Sequence, residues 1–316
     1  MGKMIAKRIL QAVPMILAIS IFSFMLMRFA PGEPYQAYIT PEMMAADIEQ
    51  IKENMGVDEP IHIQYASWLK EAVQGNMGYS LLNHRSVVTQ IGERLPATIG
   101  LMAAAMAISM ILGILIGLLS AAYRNRFLDR LLTFLSYVGI SIPSAWFAMM
   151  LMYFFSLKLG WLPAIGMRSV GVRTTWDLIK HAIMPVAVLS IGNIGTIARF
   201  VRSSTITQMG EEYVTVALAA GASRREVIYR YVLKNSILPV ITLIGMSLPS
   251  LVTGSFIVES IFGWPGLGQL GMNAVLGLDY PLIMATTMFS SLLLILGNLL
   301  SDILYGIADP RIKELN

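Results

Sequence analysis

Six stretches of the chain run without Asp, Glu, Lys or Arg and are dominated by apolar side chains: Ile9–Met27, Leu95–Tyr123, Leu131–Leu157, Ala182–Ala198, Asn235–Val258 and Tyr280–Ser301. A helix needs about 20 apolar residues to cross the hydrocarbon core of a bilayer. The pattern therefore predicts an all-α polytopic membrane protein with six transmembrane helices. The fourth stretch is the shortest, and His181 and Arg199 bracket it. The first follows Lys3, Lys7 and Arg8, as a signal peptide would. It ends in Arg28-Phe29-Ala30-Pro31 rather than a small-residue cleavage site, so an uncleaved first span is expected.

A seventh uncharged stretch, Ser260–Leu278, carries Gly, Pro and amide side chains that a lipid-facing helix would not hold. It is expected to be an ordered external or re-entrant loop. Between the first two spans lies a long polar segment, residues 31–94. Thr40-Pro41-Glu42 reads as a helix start, with Met44, Ile48, Ile51 and Met55 at helical spacing and Gly56 as the stop. A second helix is predicted from Pro60 to Gly75, carrying Ile61, Tyr65, Trp68, Leu69 and Val73. The expected organisation is residues 1–30 as N-terminus and first span, 31–94 as an extracytoplasmic segment, and 95–316 as a five-helix core with a cytoplasmic loop at about 203–236.

Composition agrees with a bilayer as solvent. Of the 316 residues 56% are hydrophobic and 13% charged, with a mean hydropathy of +0.66; soluble domains hold roughly 25% charged residues. The net charge of +4 points to membrane boundaries, not to nucleic acid, because the basic residues border the spans. With the N-terminus inside, the inner segments carry 14 Lys and Arg and the outer ones 7, with Arg28 and Lys158 at edges. That asymmetry predicts both termini in the cytoplasm. There are no cysteines, hence no disulfide or thiolate chemistry.

The largest inner segment, residues 199–236, contains a short apolar helix. Glu211 and Glu212 suit its N-terminus, and Tyr213, Val216, Ala217 and Ala220 recur at i, i+3, i+4 and i+7 as one apolar stripe. Gly221 is expected to end it, with Ala222 in the turn and Ser223 capping the next helix. Such a stripe either packs beneath its own bundle or lies in a groove of another protein.

Other candidates carry open alternatives. Glu259 at the outer end of the fifth span is a functional candidate by depth, or a brace for the loop that holds Trp264, Pro265 and Gly266. Pro143, Pro185 and Pro249 interrupt three spans, and Asn193 lies mid-span between Gly192 and Gly195; each either lines a pathway or packs. His62, His84 and His181 lack the convergent spacing of a metal site and read as surface histidines. No Ser–His pair for a membrane protease is evident beside Ser255. The spans hold no carboxylate for an ion-coupled transporter.

Several blocks resemble the permease subunits of ATP-binding-cassette (ABC) importers of the dipeptide, oligopeptide and nickel family, B-type. They are Gly56-Val57-Asp58-Glu59-Pro60, Gly75-Asn76-Met77-Gly78-Tyr79-Ser80, Arg199-Phe200-Val201-Arg202, Gly254 to Glu259 continuing through Phe262-Gly263-Trp264-Pro265-Gly266-Leu267-Gly268, and Asp309-Pro310-Arg311. The inner loop is similar to that family's Glu-Ala-Ala-x-x-x-Gly pattern, with Thr215 and Val216 in place of Glu and the first Ala, and Ala217 and Gly221 kept. Leu238-Pro239 stands later than the general pattern's Leu-Pro.

The resemblance implies the type I importer permease fold and a coupling helix formed by Glu212, Tyr213, Val216, Ala217, Ala220, Gly221, Ala222 and Ser223. It also implies a second homologous permease, two ATPase subunits and an extracytoplasmic peptide-binding protein as partners. ATP and Mg would sit on the ATPases; this chain has no phosphate-binding loop motif. Peptide is the expected cargo, with nickel or a nickel chelate as the alternative.

Overall fold

The computed structural model describes residues 2–29, 39, 43–44, 49–50, 59–233 and 255–308. The predicted helix starting at Thr40-Pro41-Glu42, Pro249, Leu238-Pro239, Asp309-Pro310-Arg311 and all but the last residues of the fifth span lie outside them.

The described part is built from helices: α1 (Gly2–Phe29), α2 (Ile61–Val73), α3 (Val87–Ala122), α4 (Phe127–Ser141), α5 (Ser144–Leu151), α6 (Thr175–Gln208), α7 (Glu212–Ala219), α8 (Arg224–Val227), α9 (Leu267–Leu276) and α10 (Tyr280–Ala308). Residues 255–261 are helical as well. At 1.5 Å per residue α3 and α6 each extend about 50 Å, well beyond the ~30 Å hydrocarbon core. Three described helices, α3, α6 and α10, are long and apolar enough to cross a membrane, and a bent pair adds a fourth. That pair is the predicted third span. Ile142 turns extended (ψ 125°) before Pro143, and the helix axis bends there by 104° before the second arm widens into π-type turns over Met152–Lys158. Pro185, by contrast, sits within the unbroken α6.

The described residues fall into two compact units. In one, which takes most of 99–264, α4 and α6 pack side by side and α6 also meets the second half of α3. Small residues set these contacts. A Cβ on Gly195 would lie 2.5 Å from the Ser136 carbonyl oxygen, and one on Gly117 2.6 Å from that of Ala198. Leu118, Ile197, Val201 and Ile228 close the core at the end nearer α7.

In the other unit, which takes 7–98 and 265–293, Val87, Ile91, Leu267, Leu270, Ala274 and Leu282 form the core. Polar links hold its elements. The Ser80 hydroxyl donates to the Asp279 carboxylate, both residues being fully buried, and the Leu267 amide donates to Thr98 Oγ1 at 2.8 Å. Phe24 of α1 stacks on Tyr65 and Trp68 of α2.

The stretch expected as a loop, Ser260–Leu278, is thus largely a ten-residue helix, α9. Its Gly268 and Gly271 are buried along with Leu267, Leu270 and Ala274, so one face packs on protein, where small residues favour close packing, while Val275 and Leu276 stay exposed.

Candidate functional site

The short helix of the 199–236 segment forms where its sequence places it. α7 begins after Glu211, with Glu212 in the first turn, and Gly221 leaves it with φ +91°. That left-handed conformation costs an ordinary residue roughly 1–2 kcal/mol, which accounts for glycine at the helix end. The Ser223 hydroxyl accepts from the Glu226 amide at 3.2 Å and caps α8. The Tyr213 hydroxyl donates to Gln208 Oε1 at 2.7 Å, tying α7 back to the end of α6.

The stripe is divided differently from the expectation. Val214 and Ala217 are buried against Val227 and Val232, with Tyr213 and Ala222 partly covered on the same side. Val216 is 68% exposed and Leu218 43%, and Ala220 and Gly221 are exposed too. Val214 and Ala217 are i, i+3 neighbours on one face; Val216 points away from it. The helix therefore packs on its own chain through one face and leaves Val216 exposed on the side turned away from it.

Behind α7, the C-terminal end of α6 is fixed to α3 and α4 by one buried carboxylate. Asp129 accepts from Arg202 Nε at 2.6 Å and a second guanidinium nitrogen at 2.8 Å, from the Ser120 hydroxyl at 2.5 Å, and from the Asn125 amide at 2.9 Å. Its side chain is 3% exposed, and that of Arg202 28%. Nothing in periodicity pointed to this group; the available signal was a single acid among Arg124, Arg126 and Arg130 in a short turn.

The candidate pathway and gate residues are placed as follows. Pro143 stands at the 104° break. Asn193 Nδ2 donates to the Leu189 carbonyl at 3.1 Å, one turn back on its own helix. Glu259 is fully buried and Trp264 is 3% exposed; the Trp264 amide donates to the Glu259 carbonyl at 2.9 Å. The Gly166 amide donates to the Phe262 carbonyl at 2.8 Å, so the 159–174 loop meets the same turn. Gly266 is extended (φ −110°, ψ −172°), a conformation open to any residue; the left-handed position in this turn is Gly263, at φ +57°. His181 is not a surface residue: it is 5% exposed, with Nδ1 2.8 Å from the Asp177 carbonyl. Among the described residues no group of three or more His, Cys, Asp or Glu could hold a metal ion.

A long apolar helical chain with a short two-faced helix between spans is the build of an ABC importer permease. Residues 113–314 match the family model of the binding-protein-dependent transport system inner membrane component, and residues 1–102 match that of the N-terminal part of such membrane components. The chain belongs to this family, in its peptide-permease branch. It is similar to the oligopeptide transport system permease protein AppB of Bacillus subtilis, 38% identical over 315 residues, covering 99% of this chain and 100% of that one. It is also similar to the glutathione transport system permease protein GsiC of Escherichia coli, 35% identical over 309 residues and 98% of each chain. Among solved structures it resembles an inward-facing conformation of the MetNI methionine ABC transporter, with a TM-score of 0.53 at 18% identity, covering 72% of this chain and 96% of that one. That likeness concerns the type I permease fold.

Proposed function

We propose that this chain is the membrane-spanning subunit of an importer that moves di- or oligopeptides into the cytoplasm, driven by ATP hydrolysis on two separate ATPase subunits. A second, homologous permease completes the pathway, and an extracytoplasmic binding protein delivers the cargo. Both termini lie in the cytoplasm. Mg–ATP belongs to the ATPases, and this chain contributes mechanical coupling. The observation that carries the reading is similarity along nearly the whole length to permeases named for an oligopeptide and for glutathione, itself a tripeptide. Those names favour peptide over nickel.

In this reading α7 is the coupling helix. One face is already satisfied by Val227 and Val232, yet Val216 remains exposed on the side turned away from it. Fully burying such a side chain is worth roughly 1.5–3 kcal/mol, so an ATPase groove that received Val216 would gain useful affinity. α7 follows α6 after a three-residue turn, and α6 is one continuous helix locked to α4 through Arg202 and Asp129. A displacement of α7 would thus reach the packed α4–α6 pair as a unit.

The division of faces selects the test. Ala217 is buried in the chain's own loop, so a charge there would injure the permease itself. Val216→Glu places the charge on the outward face alone, where docking would bury it at a cost of several kcal/mol. In complexes extracted with detergent, the ATPase-to-permease ratio should fall at least tenfold with permease yield unchanged, and uptake should fall with it. An unchanged ratio would remove α7 from the ATPase contact. For the cargo, ATP hydrolysis by the purified complex should respond to the binding protein loaded with peptide; a response to a nickel chelate instead would overturn the peptide assignment.

A further inference from the structure

α4 and α6 carry matching stripes that face one another. On α4, Arg130, Thr133, Phe134 and Tyr137 recur at i, i+3, i+4 and i+7; on α6, Thr196, Arg199, Phe200 and Ser203 do the same. The helices run antiparallel, since Asp129 pairs with Arg202 while Tyr137, two turns further on, pairs with Arg199, whose guanidinium lies 4.2 Å from the ring centroid. The stripes line a cleft of about 450 Å³, which continues past Arg130 and Phe134.

Its electrostatics are one-sided. Asp129 is the one carboxylate among the described lining residues, and Arg202 already holds it through two hydrogen bonds. Arg130 and Arg199 are left as exposed surplus cations, beside the hydroxyls of Thr133 and Ser203. The surroundings are apolar: Phe134 is 63% exposed, and Leu131, Leu135 and Ile140 are also exposed along α4. Guanidinium groups at the rim with bare hydrocarbon alongside suit an amphiphile with an anionic head. Inorganic phosphate would use only the first of these features.

We propose that the cleft between α4 and α6 binds the headgroup of an anionic phospholipid of the inner leaflet. The phosphate sits between Arg130 and Arg199, and an acyl chain follows Phe134 and Leu135. Basic pockets between spans on the cytoplasmic side are suited to such headgroups. The leaflet assignment rests on the orientation proposed above, while the binding chemistry does not.

The test uses the intact complex in mild detergent, titrated with phosphatidylglycerol or phosphatidylcholine and read by native mass spectrometry. Phosphatidylglycerol should be retained in preference to phosphatidylcholine. Arg130→Gln and Arg199→Gln should each lower that retention about fivefold, with phosphatidylcholine retention unmoved. Both side chains are exposed and outside the Asp129 network, so the fold should persist; the wild-type lipid comparison stands independently of the variants. Millimolar inorganic phosphate and dialanine should fail to displace the lipid. Equal retention of the two lipids, or full retention in both variants, would overturn the proposal. Displacement by phosphate would reassign the cleft to a free anion, and displacement by dialanine would make it part of the cargo path. If thiol labelling reversed the orientation, lipid binding in detergent would survive and only the leaflet would change.

Discussion

At the scale of single residues, the group with most at stake is Asp129. Its two oxygens collect donors from three elements: Ser120 on α3, the Asn125 amide in the turn and Arg202 on α6. Removing one partner of a buried pair leaves the other charge uncompensated, which typically costs 3–5 kcal/mol. Arg202 retains some solvent access, so the lower end applies. Asp129→Ala is expected to destabilise the extracted permease by about 3 kcal/mol, read as a clear drop in its thermal unfolding temperature in detergent. Exchanging the pair, Asp129→Arg with Arg202→Asp, should not restore it. An arginine at 129 would meet the Asn125 backbone amide donor to donor and would leave it without its acceptor. Recovery by the exchange would mean that the ion pair alone, without its hydrogen-bonded surroundings, supplies the stabilisation.

At the scale of elements, the same logic concerns backbone approach. Gly195 lets α6 close on α4, because any Cβ there would meet the Ser136 carbonyl at 2.5 Å and Ile140 at 3.0 Å. The nearest obstacle is backbone and cannot rotate away. Gly195→Leu should therefore force the two helices apart, lowering thermal stability and uptake together, while Gly192→Ala, whose nearest neighbour is 3.9 Å away, should be mild. Equal tolerance at both positions would show the interface to be loose.

Much at this scale was legible in the chain. α2, α3, α6, α7 and α10 stand where hydrophobic runs, Pro60, Gly75 and Gly221 put them, because lipid and helix period leave few options. What was not legible depended on tertiary context. Pro143 and Pro185 look alike in sequence, yet only Pro143 breaks its helix. Met184 and Pro185 are buried in a packed face that holds the helix together, whereas Pro143 is exposed. The composition of 260–278 argued against a regular lipid-facing helix, but it could not reveal that a helix would form there with one face packed on protein. Nor could a stripe of Tyr213, Val216, Ala217 and Ala220 tell which side its own chain would occupy.

At the scale of the whole molecule, the open quantity is orientation, and it follows from charge rather than from packing. Positions Thr174, before α6, and Asn273, on α9, fall in segments with few basic residues; Arg124 and Thr215 fall in the Lys- and Arg-rich ones. All four are exposed, so accessibility reports the side of the membrane and not burial. The protein has no cysteine of its own, and each substitution therefore gives a single label site. In sealed cells an impermeant thiol reagent should modify Thr174→Cys and Asn273→Cys, and should reach Arg124→Cys and Thr215→Cys only after permeabilisation. Ser80, though in a segment expected outside, is a poor probe because it is fully buried against Asp279. Labelling of Thr215→Cys from outside would place α7 on the side without ATP, where no ATPase could meet Val216. The coupling role would then fall whatever the cargo.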